Sequence, residues 1–432
     1  MRSYVFGSLF LVSCNSINGW SEYPNTLDSD AVADSSTDSD TDSPPHDGAT
    51  DSADASPADA RRCNGVTFAP AATYPTGSNP TTLGAGDFVG DGHVDLAVGN
   101  EGGGFIDAGA NSTAGVFLNT RDGTGSFAPQ ATYYFGGAPY IKVGHVVHNA
   151  GPMDIVAAVN AYPNEPSHVA VLANKADKSG TFAPPATYAT NDYPWAVTLG
   201  TFGGAGGADI AIACSTTEVS VLLNNGSGAF GAPQTYAVGS QNPFSIAAGD
   251  FDGDGSNDDI ALVELNPADV RVWLNGGSGS FGAPVTYDAG VSPYAVAVAD
   301  VNGDGKVDLV VSQNGLPGSI GILRGDGHGS FGAPVTYGAG QNPEGVAVGD
   351  FNGDGHPDVA VANYGNGYGA TSTLSVLLNN GDGTFAPQQT FSSGGANAWT
   401  LTVGDFNGDN RLDIAVVNSA SDSLGVLLNQ CE

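Results

Sequence analysis

The sequence predicts an all-β fold, a ring of seven four-stranded antiparallel sheets, and three observations predict it. Gly and Pro number 64 and 25 among 432 residues beside an apolar share of 41%, a turn-rich composition that excludes a mainly helical protein. Two short motifs each occur seven times, with a period near 50 residues. Between them run short apolar segments bounded by Gly, Asn and Asp, which read as strands joined by hairpins. Four strands in a period of this length is the signature of a β-propeller blade.

The first motif begins Gly-Asp-Phe-Asn-Gly-Asp-Gly and runs into Asp-Leu-Ala-Val. Its first loop position falls at Asp87, His145, Thr201, Asp250, Asp300, Asp350 and Asp405, in steps of 58, 56, 49, 50, 50 and 55. The second is Phe-Ala-Pro or Phe-Gly-Ala-Pro followed by Thr-Tyr, beginning at Phe68, Phe127, Phe182, Phe230, Phe281, Phe331 and Phe385. The first copy of this second motif has no strands before it, and the last unit stops at Leu424–Asn429. The N-terminal segment is therefore expected to supply the missing outer strand of the last blade. That closure brings Cys63 and Cys431 into one hairpin turn, where a disulfide would lock the ring. Cys214 sits inside an apolar strand and reads as a buried thiol.

Eleven Lys and Arg against 45 Asp and Glu give a net charge of −34, which argues against a nucleic-acid backbone or an anionic membrane surface as partner. Residues 1–13, with Arg2 before a short apolar core, read as a secretory signal too short to span a bilayer. Leu11-Val12-Ser13-Cys14 resembles the bacterial lipobox, which implies cleavage before Cys14, lipidation of its sulfur and anchoring through lipid alone. Residues 14–60 collapse to Asp, Ser, Thr, Ala and Pro and form a disordered tether. The propeller occupies 61–432. The expectation is an exported, lipid-anchored monomer on a bacterial outer membrane or cell surface.

The seven units resemble FG-GAP/VCBS-type repeats, the family that builds integrin α-subunit propellers and many bacterial surface proteins. Phe135-Gly136-Gly137-Ala138-Pro139 spells the family's name, and the resemblance spans about residues 64–431.

The acidic loops read as calcium sites. Asp350, Asn352, Asp354 and Asp358 supply oxygens at loop positions 1, 3, 5 and 9, and His356 offers its carbonyl at position 7. Asp300, Asn302, Asp304, Lys306 and Asp308 repeat the set, as do Asp405, Asn407, Asp409, Arg411 and Asp413. The fourth unit has Asp250, Asp252, Asp254 and Ser256, and one extra residue leaves Asp258 and Asp259 as alternatives for the ninth ligand. Oxygen-only ligands suit calcium better than zinc or copper. Position 12 holds Val311, Val361 and Val416, so these loops are not EF-hands. Unit one keeps Asp87, Asp91 and Asp95 but has Val89 at position 3, a partial set for a possible fifth ion. Units two and three keep Asp154 and Asp209 alone and are expected to bind nothing. The resemblance implies ions that brace hairpins and do no chemistry.

On the opposite face an aromatic recurs at one register, Tyr140, Trp195, Phe244, Tyr294 and Trp399, with Thr81 and Glu344 in the other two units. Longer loops there add Phe105, Tyr364 and Tyr368. These eight aromatics are the candidate ligand contacts, for stacking on sugar faces or for holding a cationic side chain as the resemblance to integrin propellers implies, since loops on a rigid scaffold are where binding usually resides. A fungal lectin with similar repeats makes glycan a reasonable ligand class. Two decoys are set aside: Arg324-Gly325-Asp326 occupies a repeat turn, and His145 with His148 lacks a third metal ligand nearby. No serine elbow or cysteine–histidine set is present. The expected function is a surface binding or adhesion module for a glycan or protein. The alternative is a polysaccharide-acting enzyme of lyase or dehydratase type.

Overall fold

The computed structural model describes residue 63 and residues 65–430, except 103–111, 149, 162–165, 192, 204–205, 216–217, 240 and 278. The expected signal, Cys14, the tether, Phe105 and Cys431 lie outside the described residues.

Among the described residues the strands form seven four-stranded sheets, each antiparallel throughout. Their first strands pack against one another around the ring, and the last closes on the first, so each sheet is a propeller blade. Blade 1 runs Pro80–Gly86, Asp95–Asn100, Thr113–Phe117 and Ala131–Tyr134 from the channel outward. Blade 7 is built from both ends of the propeller. Ala398–Gly404, Asp413–Asn418 and Ser423–Leu427 are completed by Ala72–Pro75, with Tyr74 opposite Leu424. The expected closure is therefore present.

Burial explains why the strands do not alternate in polarity. The second strand of blade 6, Asp358–Asn363, is buried at all six positions because neighbouring blades cover both of its faces. Such a strand reads as a continuous apolar run. Six of the seven outer strands, such as Val335–Gly338, are mostly exposed and four residues long, which leaves little open sheet edge; the seventh, Gln389–Ala396, runs to eight.

Both repeated motifs are joinery between blades. The Phe of the second motif is a wedge: Phe182 of blade 2 meets Phe88 and Tyr133 of blade 1 edge-on, at centroid distances of 5.3 and 5.5 Å. Phe281 meets Phe202 and Tyr236 in the same way, Phe331 meets Phe251 and Tyr287, and at the seam Phe127 meets Phe406 and Tyr74. An Asn two residues past the third strand adds a polar tie to the preceding blade. Asn174 donates its side-chain amide to the Phe88 carbonyl at 2.9 Å, Asn275 to Phe202 at 2.8 Å and Asn379 to Val301 at 2.6 Å. Blade 5 has Gly325 at this position, and there the Gly329 amide reaches the Phe251 carbonyl instead, at 2.7 Å.

Candidate functional site

Four features decide what the acidic face can do. The first is the ninth-position Asp, which is a latch in all seven blades. Asp358 accepts the Phe351 amide on Oδ2 at 3.0 Å and the Asn379 amide on Oδ1 at 2.8 Å, tying the two hairpin loops together. Asp95, Asp308 and Asp413 do the same. Asp259, not Asp258, takes this place in blade 4. Asp154 and Asp209 keep it in loops that have lost every other acid. Their retention was the sequence signal for the latch, and the ligand reading passed over it.

Second, the first-position Asp organises its loop. Asp350 accepts the amides of Gly353, Asp354 and Gly355 at 2.7–3.1 Å, while Asp354 accepts the amide of His356 at 2.9 Å. Asp250, Asp300 and Asp405 repeat the arrangement, and the amides of Ser256, Lys306 and Arg411 donate to Asp254, Asp304 and Asp409. The glycine at loop position 6 permits the turn: Gly355 has φ +85°.

Third, carboxylates crowd together in blade 4. Asp250, Asp252 and Asp259 bring oxygens within 4.8 Å of one another. Asp258 beside them is buried, and its Oδ1 has no hydrogen-bond partner among the described residues. Burial, then the Asp259, Asp254, Asp252 and Asp250 charges, push the Asp258 carboxyl up to about 7. A hard cation relieves both the repulsion and the orphaned oxygen, so the donor set fits calcium.

Fourth, the partial loop of unit one carries its own cation. Arg121 Nε lies 2.6 Å from Asp91 Oδ2, whereas in the full loop of blade 7 Arg411 stands 4.0 Å from Asp409. A wide groove of about 980 Å³ also opens on this face at the seam, lined by Cys63, Val66, Gln389, Asn407, Asp409 and Arg411. Arg324-Gly325-Asp326 is a turn: Gly325 donates to Asp308, Arg324 to the Asp382 carbonyl, and Asp326 accepts two amides of its own loop.

On the opposite face the aromatic register coincides with a β-bulge at the start of the first strand in every blade but the second, where Tyr140 pairs regularly with Ala158. In blade 6 Pro343 pairs with Asn363 and Val346 with Val361, so Glu344 and Gly345 together face Ala362. Tyr294 and Trp399 occupy the same place in blades 5 and 7. Bulges re-aim side chains. A Cβ on Gly345 would sit 2.8 Å from Thr400 Cα, so this close approach of blades 6 and 7 requires glycine.

The register residues are mostly interior. Tyr140, Phe244 and Trp399 are buried, whereas Trp195 and Tyr294 are half-buried. Phe244 stacks on Tyr294 at 5.1 Å and touches Trp195 edge-on at 6.2 Å, and Tyr364 meets Trp399 edge-on at 5.6 Å. Tyr140 donates its hydroxyl to Glu101 Oε1 at 3.1 Å. Tyr368 is the exception, 78% exposed on the blade-6 loop.

Between blades 5, 6 and 7 these residues enclose a cavity of about 210 Å³, lined by Tyr294, Asn314, Asn342, Glu344, Tyr364, Gly367, Tyr368 and Trp399. Glu344, the departure from the aromatic register, is the acid within it. The Asn314 side-chain amide donates to its Oε1 at 3.0 Å, while Oε2 is buried with no partner among the described residues. Burial drives this carboxyl well above the usual glutamate range. Burial, then the nearby Glu344 charge, pushes the Tyr364 phenol up to about 12. Trp399 Nε1 is likewise buried without a hydrogen-bond partner.

A family model described as FG-GAP-like repeat matches residues 202–258, 256–311, 312–361 and 350–416. No curated protein matches the chain. Among solved structures, those of BBS1N in complex with ARL6DN, soaked with mercury and with lead, superpose with a TM-score of 0.54 at 11% identity. The alignments cover 84% of this chain in both cases, and 97% and 96% of the other. At that identity the likeness is one of fold.

Proposed function

We propose that this chain, which belongs to the FG-GAP-like repeat family of β-propellers, is a calcium-braced binding module that meets a protein or glycan ligand on the face opposite its acidic loops. The observation that carries this reading is the division of labour between the faces. One face is occupied by loops whose carboxylates fasten hairpins through latches and turns or crowd together as a cation set. The other has a recessed cavity with an exposed aromatic, Tyr368, at its rim and an unpartnered carboxyl oxygen at its wall. Concave sites with few convergent polar groups are where ligands bind. The BBS1N fold, solved in complex with ARL6DN, supports a protein as one class of ligand.

Four loops would hold calcium, through Asp250, Asp252, Asp254 and Asp258 with the Ser256 carbonyl, and through the matching sets that begin at Asp300, Asp350 and Asp405. Bound ions there supply positive charge that cancels carboxylate repulsion and stiffens the hairpins. Asp91 in unit one is already paired with Arg121, which supports four ions over five. Export, lipidation at Cys14 and a Cys63–Cys431 disulfide complete the proposal and rest on the sequence. The test is a glycan array run beside a screen of purified surface proteins, with wild type and Tyr368→Ala. Binding that falls in Tyr368→Ala but survives Tyr134→Ala, a control at another exposed aromatic, supports the reading. Turnover of a polysaccharide without stable binding would favour an enzyme.

A further inference from the structure

We infer that the cavity between blades 5, 6 and 7 is a binding site for an organic ammonium ion, with Glu344 as the counter-charge and Tyr294, Tyr364 and Trp399 as its walls. This rests on the reading that the face opposite the acidic loops meets ligand, and it names a ligand chemistry that reading leaves open.

Three features converge. Glu344 is 4% exposed, and Asn314 satisfies one of its oxygens while the other has no donor. A buried carboxylate is otherwise held by a cation or by several donors, and among the described residues no Lys, Arg or His lines this cavity. The remaining wall is aromatic. Tyr364 and Trp399 meet edge to face at 5.6 Å, and Tyr294 stands across from them. Ring faces attract an ammonium, most strongly where water is excluded. The protein's net charge of −34 concentrates cations at any mouth on its surface.

A sugar offers the same cavity neutral hydroxyls. A primary ammonium adds charged hydrogen bonds, about twice as strong as those from a neutral donor, a quaternary ammonium adds charge alone, and only a cation compensates an ionised Glu344. The volume of about 210 Å³ admits a trimethylammonium or alkylammonium group with a short stem, leaving Tyr368 at the rim to touch what the group is attached to.

The test is calorimetric titration of the full chain, calcium present, with choline, n-butylammonium and 3,3-dimethyl-1-butanol, the uncharged isostere of choline. Choline or n-butylammonium is expected to bind at least about ten-fold more tightly than the isostere. Which ammonium binds better tells whether a quaternary headgroup or a primary amine is the source; either order supports the inference. Glu344→Gln keeps the shape of the side chain and is expected to cost about ten-fold in cation affinity while leaving the isostere unchanged. Tyr368→Ala, at an exposed position that cannot compromise folding, is expected to cost a few-fold. Absence of heat with both ammonium ions up to about 50 mM would overturn the inference. Equal binding of the isostere, or undiminished binding in a folded Glu344→Gln, would do so too. Should Glu344→Gln not fold, the wild-type comparison of cation with isostere still decides. A ligand found on the array with both ammonium ions silent would sink this inference and leave the binding-module reading standing.

Discussion

The side-chain amide of Asn119, in blade 1, donates to the carbonyl of Phe406, in blade 7, at 2.8 Å. It crosses the seam where the ring is closed by the pairing of Ala72–Pro75 with Ser423–Leu427. The same residue sends its backbone amide to Asp95 at 2.8 Å, so one side chain fastens a hairpin and a blade boundary together. Removing it leaves a buried carbonyl without a donor. Asn119→Ala is therefore expected to lower unfolding free energy by about 1–3 kcal/mol, read from urea midpoints at fixed calcium. Asn119→Asp, which cannot donate, should be at least as costly, whereas an unchanged midpoint in both variants would remove the tie from the account.

The aromatic wedge gives a larger effect. Phe182 is 4% exposed between Phe88 and Tyr133 of the neighbouring blade. Truncation to Ala opens a cavity at the interface, and the expected loss is about 3–5 kcal/mol. Phe182→Leu should cost clearly less. A negligible loss in Phe182→Leu would mean that edge-on ring contact has no part in holding the blades.

Asp154 separates the latch from the metal. Its loop lacks the other acids, yet its carboxylate accepts the amides of Val146, Val147 and Asn174 at 2.7–3.0 Å. Asp154→Ala is expected to cost about 3 kcal/mol and to cost the same in calcium or in EDTA, because hydrogen bonds to a charged group are worth about 1.5–3 kcal/mol each. A loss that appears only with calcium would assign this residue to a metal site.

Much of this architecture is legible from spacing. The recurrence of Phe-Ala-Pro or Phe-Gly-Ala-Pro seven times, with one copy stranded at Phe68 ahead of any blade, gives both the blade count and the closure. The split into two faces follows from antiparallel order alone. What spacing hides is the second use of a residue. Asp358 looks like a ninth ligand because it follows three others, but its two oxygens are taken by amides of separate loops, and only tertiary contact reveals that. The aromatic register is similar. Tyr140 and Phe244 share a sequence position with Tyr294 yet are buried, because the residues packed around each of them decide exposure. Glu344 stood out in the sequence as the one acid in that register, and its significance needed the cavity.

Glu344 also sets a pH dependence. Its carboxyl is raised in the folded state by burial, with the Asn314 hydrogen bond pulling weakly the other way. A raised acid favours the protonated form, so its contribution is full below the unfolded value near 4.5 and is lost as pH rises through the folded value. Wild type minus Glu344→Gln stability of the ligand-free chain is therefore expected to fall as pH rises above the unfolded value near 4.5, measured by paired thermal melts at saturating calcium. A difference that stays flat, or that grows with pH, contradicts a carboxyl raised by burial; a bound cation compensates the ionised form and is expected to shrink the fall.

The brace itself is tested most directly by counting ions. The chain, passed through a desalting column in buffer of known low free calcium and measured by equilibrium dialysis, is expected to hold four calcium ions. Asp250→Ala with Asp252→Ala should reduce the count to three, and chelation should lower the melting temperature of wild type. Four ions, one fewer in that variant, is the result the account predicts. A count of one or none, with a melting temperature indifferent to EDTA, would contradict it.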